Sequence, residues 1–204
     1  MEEKITKLLN SFKNRGIEGH YFKNVAQVKE YLYSSLEKNA SIGFGGSMTF
    51  EKETALYEEL KNNSKYKLID RYNKDESIEE INSKMINCDY FFMSSNAISL
   101  DGQLVNIDGR GSRLAYLLYG PKNVIIIAGV NKIEEDLHKA IYRARNVAAP
   151  KNAVRLHRNT PCASQGRCYD CLSPDCICAN IVITRRSHIP NRIKVLLVDE
   201  ELGY

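Results

Sequence analysis

Apolar residues recur at helical spacing near the start of the chain, where Ile5, Leu8, Leu9 and Phe12 share one face ahead of Arg15-Gly16. This pattern predicts an amphipathic first helix over residues 1–15. Asn24 followed three residues later by Gln27 has the form of a capping box, and Val25, Val28, Tyr31, Leu32 and Leu36 continue as an apolar stripe, which predicts a second helix. The period then shortens. Residues 41–44 read as a short buried strand, Gly45-Gly46-Ser47 as a loop and residues 48–60 as a helix. The alternation continues as strand 67–70, helix 77–87, strand 90–94, helix 112–119, strand 123–128 and helix 133–146, with further strands at 180–184 and 192–198. Strands alternating with helices predict an α/β fold in which a mostly parallel sheet is covered on both faces. One run departs from this rhythm. Between Ala97 and Asn106, Asp101-Gly102 separates two short strand-like runs and predicts a two-residue hairpin.

A length of 204 residues suits one domain, 1–204, with a sizeable core and a small appended module. No signal peptide precedes the first helix and no apolar run is long enough to span a bilayer, so no membrane partner is expected and a cytoplasmic location is. The net charge of +4 is unevenly placed: residues 1–138 hold 18 Lys+Arg against 20 Asp+Glu, whereas residues 139–194 hold 11 against 2. No nucleic-acid motif accompanies the basic segment, so no nucleic-acid partner is expected.

That basic segment surrounds five of the six cysteines, Cys162, Cys168, Cys171, Cys176 and Cys178, with Cys88 far away. Pro161, Gly166 and Pro174 place most of these sulfurs on turns, from which several thiolates can converge on one point. Where thiols stay reduced, clustered cysteines favour metal binding over disulfides. Reduced structural thiols and a redox disulfide pair are the competing readings. The set Cys162, Cys168, Cys171 and Cys178, within a cysteine-rich stretch at 159–180, gives C-x5-C-x2-C-x6-C. This spacing is compatible with a [4Fe–4S] cluster and, as the alternative, with tetrahedral Zn2+. Cys176, two residues from Cys178, is a spare or alternate ligand.

Two further stretches carry candidate chemistry. In the first, Gly43, Gly45, Gly46, Ser47 and Thr49 follow a predicted strand, and glycine backbone with hydroxyl donors suits a phosphate or carboxylate. It is neither a P-loop, which needs a lysine, nor a dinucleotide fingerprint, whose third glycine is here Met48. A plain tight turn is the simpler reading. In the second, Asn96, Asn106, Gly109, Arg110 and Arg113 gather past a strand end, where open α/β sheets bind ligands, with Arg110 or Arg113 gripping an anion. Asp101 is the candidate general base, and ordinary turn chemistry is its alternative role. The four histidines have no partner in the pattern.

The runs from Ser95 to Gly109, Arg113-Leu114-Ala115, Gly120 to Ile133 and Arg145 to Ala153, with the cysteine segment and the Glu200–Tyr204 tail, resemble the LUD (lactate utilisation) domain family. The resemblance implies a three-layer α/β/α fold similar to ribose-phosphate isomerases and CoA-transferases. It also implies a role in lactate or related organic-acid metabolism, with a small anionic metabolite as ligand, Lys132 among the binding residues and iron–sulfur oxidoreductase subunits as partners. The cysteines map onto a P-C-x5-C-x2-C segment of shorter relatives, with Cys176 extra. The ferredoxin-type C-x2-C-x2-C-x3-C-P repeats of larger lactate-utilisation subunits are missing, which argues against lactate oxidation by this chain alone. A stand-alone sugar-phosphate isomerase or CoA-ester transferase with structural cysteines, and a non-catalytic metal or redox sensor, are the competing functions. The oligomeric state is left open.

Overall fold

A computed structural model describes residues 2–204. Ten strands, β1 (Glu18–Phe22), β2 (Ser41–Phe44), β3 (Lys67–Leu68), β4 (Tyr90–Met93), β5 (Ala97–Ser99), β6 (Leu104–Asp108), β7 (Asn123–Gly129), β8 (Ile133–Glu134), β9 (Asn180–Thr184) and β10 (Ile193–Val198), form two sheets. The larger has the order β1-β10-β7-β4-β2-β3 with every pair parallel. Successive residues of its central strands feed opposite faces, as pleating requires. Phe91, Met93, Val124, Ile126, Val195 and Leu197 pack with α1 (Glu2–Asn14), α4 (Ile78–Ile86) and α5 (Ser112–Leu118), whereas Phe92, Ile125, Ile127, Leu196 and Val198 pack with α2 (Val25–Ser35) and α3 (Leu56–Lys61). The protein is therefore a three-layer α/β/α structure with a mostly parallel sheet.

The smaller sheet, ordered β8-β5-β6-β9, is mixed. Ala97, Val105 and Ile107 pack against Ala140, Ala144 and Ala149 of a helical rod built from α6 (Leu137–Arg143), a π turn and α7 (Ala149–Arg155). Alanine lets the rod approach the sheet closely. The cysteine segment runs from α7 through the short α8 (Pro161–Gln165) to β9.

Several local expectations need correction. β9 joins the smaller sheet, and β1, whose residues are all half-buried, was not legible as a strand. Residues 48–60 split into a π turn and α3 at Ala55, which has φ 54. Residues 133–134 form a strand, so the predicted helix begins only at Leu137. Asn24 caps α2 by accepting from Gln27 N at 3.0 Å, but the Gln27 side chain accepts from Lys23 N rather than closing the box on Asn24. The hairpin loop has three residues: Gly102 (φ 85) donates to Ser99 O and Ser99 N to Gln103 O, a turn followed by a left-handed glycine. Among the described residues no helix is long and apolar enough to cross a membrane.

Candidate functional site

The parallel sheet changes direction at β2, from which the chain moves outward to β3 and then returns to lay β4 on β2's other side. Loops leaving the carboxyl ends of two such strands diverge and leave a crevice, the usual ligand position in open α/β sheets. A cleft of about 720 Å³ lies there. The Gly45–Thr49 loop and Ser94–Asn96 form its floor, Lys132 and Gly203–Tyr204 one side, and Ile107–Arg113 another. The end of α7 and the cysteine segment at 174–177 close it.

The floor carries unmet hydrogen-bonding capacity. Thr49 and Ser94 are 1% and 7% exposed, and neither hydroxyl has a partner among the described residues. Buried hydroxyls without partners cost stability. Lys132 is 3% exposed, and its Nζ donates to the Tyr204 main-chain oxygen. Burial, and then the charge of Arg143, pulls its ammonium down from the usual lysine value to about 7, with Glu53 opposing. A buried amine poised near neutrality is a natural partner for an anion.

Arg113 has a different role from the expected anion grip. Its guanidinium donates to Ser94 O at 3.0 Å, Ile107 O at 2.7 Å and Asn96 Oδ1 at 3.2 Å, and Nε lies 3.6 Å from Asp108 Oδ2. Arg113 lines the cleft, but its donors are taken by these protein acceptors and tie β4 to β6. Asn106, fully buried, lies behind it with Oδ1 at 3.5 Å from Arg113 and does not line the cleft. Gly43 is also outside: a Cβ there would sit 2.5 Å from Met85 Sδ and 3.3 Å from Cys88 Sγ, so this glycine serves core packing. Gly45, Gly46, Ser47, Thr49, Asn96, Gly109, Arg110 and Lys132 all line the cleft.

Asp101 is remote from this cleft. Its carboxylate pairs with Arg15 at 2.8 Å, accepts from Gln103 at 2.8 Å and also bonds Ser99 Oγ. Burial raises its pKa, but those hydrogen bonds and the Arg15 charge outweigh it and hold the carboxyl below the usual range, which weakens it as a base. The role its surroundings support is locking the hairpin onto α1. Asp101→Asn is expected to lower stability by about 1 kcal/mol through the lost ion pair, leaving ligand affinity unchanged; thermal melting with a parallel titration checks this.

The cysteine segment borders the cleft through Cys176. The Cys178 thiol is pushed up to about 11, first by burial and then by Cys176, Cys168 and Cys162. Cys168 Sγ accepts from Arg145 Nη2 at 3.3 Å and from Asp170 N at 3.4 Å, and Cys162 Sγ lies 3.2 Å from Thr160 Oγ1. Donors aimed at the Cys168 sulfur suit a thiolate there. Among the described residues, no three His, Cys, Asp or Glu side chains converge as a site for a single ion.

Arg71, Tyr72, Ser94 and Arg155 also line the cleft and were not anticipated. No sequence signal marks them, because they reach it from a short loop, a strand end and a distant helix terminus.

A DUF162 family protein from Deinococcus radiodurans is similar in structure, with a TM-score of 0.53 over 97% of this chain and 97% of its own at 11% identity, a likeness that speaks for the fold alone. Ribose 5-phosphate isomerase from Plasmodium falciparum matches 54% of this chain and 52% of its own, at 18% identity and a TM-score of 0.35. No curated protein matches the chain. The LUD domain model matches residues 5–198, nearly the whole length, and the chain belongs to the LUD domain family.

Proposed function

We propose that this protein serves lactate or related organic-acid metabolism by binding a small organic-acid anion in the cleft, beside a four-cysteine metal centre. The observation that carries the reading is the pairing of two partnerless buried hydroxyls, Thr49 and Ser94, with the buried amine of Lys132 around one cleft. A carboxylate offers acceptors to all three, and membership of the LUD domain family supports the metabolic setting. Lys132, protonated on binding, supplies the charge, and the hydroxyls fix orientation. Asn96 adds a side-chain amide whose oxygen is already held by Ile107 N at 2.9 Å.

Cys162, Cys168, Cys171 and Cys178 would hold the centre, with Cys176 as an alternate. A [4Fe–4S] cluster is the favoured centre over one zinc ion: zinc needs four thiolates only ~3.8 Å apart, a convergence absent among the described residues, whereas a cubane takes one thiolate at each outer corner. Bound there, a cluster would supply one-electron transfer next to the cleft. Arg145 offsets thiolate charge at Cys168, and iron–sulfur oxidoreductase subunits would be the electron partners.

Calorimetric titration with L-lactate and pyruvate tests the anion site. Saturable binding is expected, and Thr49→Val should weaken it by about 2- to 10-fold while leaving the melting temperature unchanged or higher, since the hydroxyl it removes has no partner in the free protein. Failure of both acids to bind, or an equal loss of stability and affinity in Thr49→Val, would contradict the reading.

A further inference from the structure

The cleft is larger and more positive than a three-carbon monocarboxylate requires. Its volume of about 720 Å³ lies in the range of sites for much larger ligands. Its lining includes Arg71, Arg110, Arg113, Arg155, Arg158 and Lys132 against two carboxylates, Asp108 and Asp175. Both carboxylates are taken, Asp108 by Arg113 at 3.6 Å and Asp175 by Arg158 at 2.9 Å. Arg71, Arg110 and Arg155 have no carboxylate within ion-pair distance among the described residues. A single carboxylate at Lys132 leaves these three charges unanswered.

Arg71 stands beside the glycine loop, and Arg155 lines the same cleft. A Cβ on Gly46 would meet Arg71 Nη1 at 2.8 Å, so the guanidinium lies over the loop in space that only glycine leaves open. Arg71 lies 5.7 Å from the centroid of the Tyr72 ring, and Arg155 lines the same cleft as Tyr72. Asn152 Oδ1 accepts from Arg155 Nε at 2.9 Å and fixes its direction. Gly45 N donates to Phe92 O, but the Gly46 and Ser47 amides donate to no protein acceptor among the described residues. Two free amides and two unpaired guanidiniums, beside the donors already placed on the carboxylate at Lys132, offer more donors than one carboxylate can accept. A phosphoryl group, with three strong acceptor oxygens and a charge near −2 at neutral pH, matches them.

We propose that the natural ligand is a phosphorylated organic acid, its phosphoryl group against Gly46, Ser47, Arg71 and Arg155 and its carboxylate toward Lys132. This rests on the organic-acid reading of the cleft and adds a second anionic end to it. The test is calorimetric titration with a matched pair, D-glycerate and 3-phosphoglycerate, alongside malate and inorganic phosphate, in wild type and in the double variant Arg71→Gln/Arg155→Gln. The expected result is that 3-phosphoglycerate binds at least about tenfold tighter than D-glycerate, and that the double variant reduces this ratio to within about threefold with an unchanged melting temperature. Equal affinities for the pair, or a ratio that survives in the double variant, would overturn the phosphoryl subsite while leaving the organic-acid site intact. Malate binding as tightly as 3-phosphoglycerate would make the second anion a carboxylate and also overturn it. If phosphate and 3-phosphoglycerate bind while glycerate, malate, lactate and pyruvate do not, the subsite stands and the organic-acid reading falls. If nothing binds, both fall.

Discussion

Replacing Arg113 by methionine is expected to lower folding stability by about 3–5 kcal/mol, the range for removing one partner of a buried, hydrogen-bonded charge. The substitution strands Ser94 O, Ile107 O and Asn96 Oδ1 and leaves Asp108 without its cation. For a domain of this size that corresponds to a fall in melting temperature of roughly 6–20 °C. Arg113→Lys should rescue little, because one ammonium cannot reach acceptors on two strands and a side-chain amide at once. Thermal denaturation of both variants decides the point. A loss below about 1 kcal/mol in Arg113→Met, accompanied by abolished anion binding, would return this residue to the ligand-gripping role read from the sequence.

The second large effect concerns the cysteines. Protein purified without oxygen is expected to be brown and to contain iron and acid-labile sulfide in equal amounts, and Cys168→Ser should remove nearly all of both. Cys168 is the informative choice because its sulfur collects hydrogen bonds from Arg145 and from Asp170 N. Cys176→Ser should cost less iron than Cys171→Ser. The reverse order would make Cys176, a neighbour of Cys178 at the cleft wall, the fourth ligand. Colourless protein with one zinc would select the structural alternative, and protein without metal after anaerobic handling would remove both.

The layers of the fold were legible because the central strands are buried on both faces, so that Tyr90–Met93 and Asn123–Gly129 read as continuous apolar runs. Elements set by distant partners were not. Ile133–Glu134 is a strand only because it lies parallel to β5, and β1 is a half-buried edge strand whose Glu18 and His20 form a polar cluster with Tyr31 of α2 at the sheet margin. The glycine loop was recognisable as the turn at a strand end, yet local sequence could not separate Gly45, beside Arg113, from Gly43, beside Met85. Arg113 looked like an anion grip because unpaired arginine after a glycine loop usually is one. Only the folded chain reveals that Ser94 O and Ile107 O converge on it. Arg71 and Arg155 reach one cleft from segments more than eighty residues apart, which no local pattern encodes.

A carboxylate bound against Lys132 makes affinity depend on pH. Burial holds this amine near pKa 7 in the free protein, and an anion beside it favours the protonated form, so binding takes up a proton above that pH. Pyruvate affinity, measured by calorimetry from about pH 6 to about pH 9, should be nearly flat below about 7 and weaken by up to about tenfold per unit above it, with proton uptake visible as a buffer-dependent enthalpy. Lys132→Met should bind weakly at every pH and show no such slope. Affinity that is independent of pH in the wild type, or a slope that persists in Lys132→Met, would contradict the account.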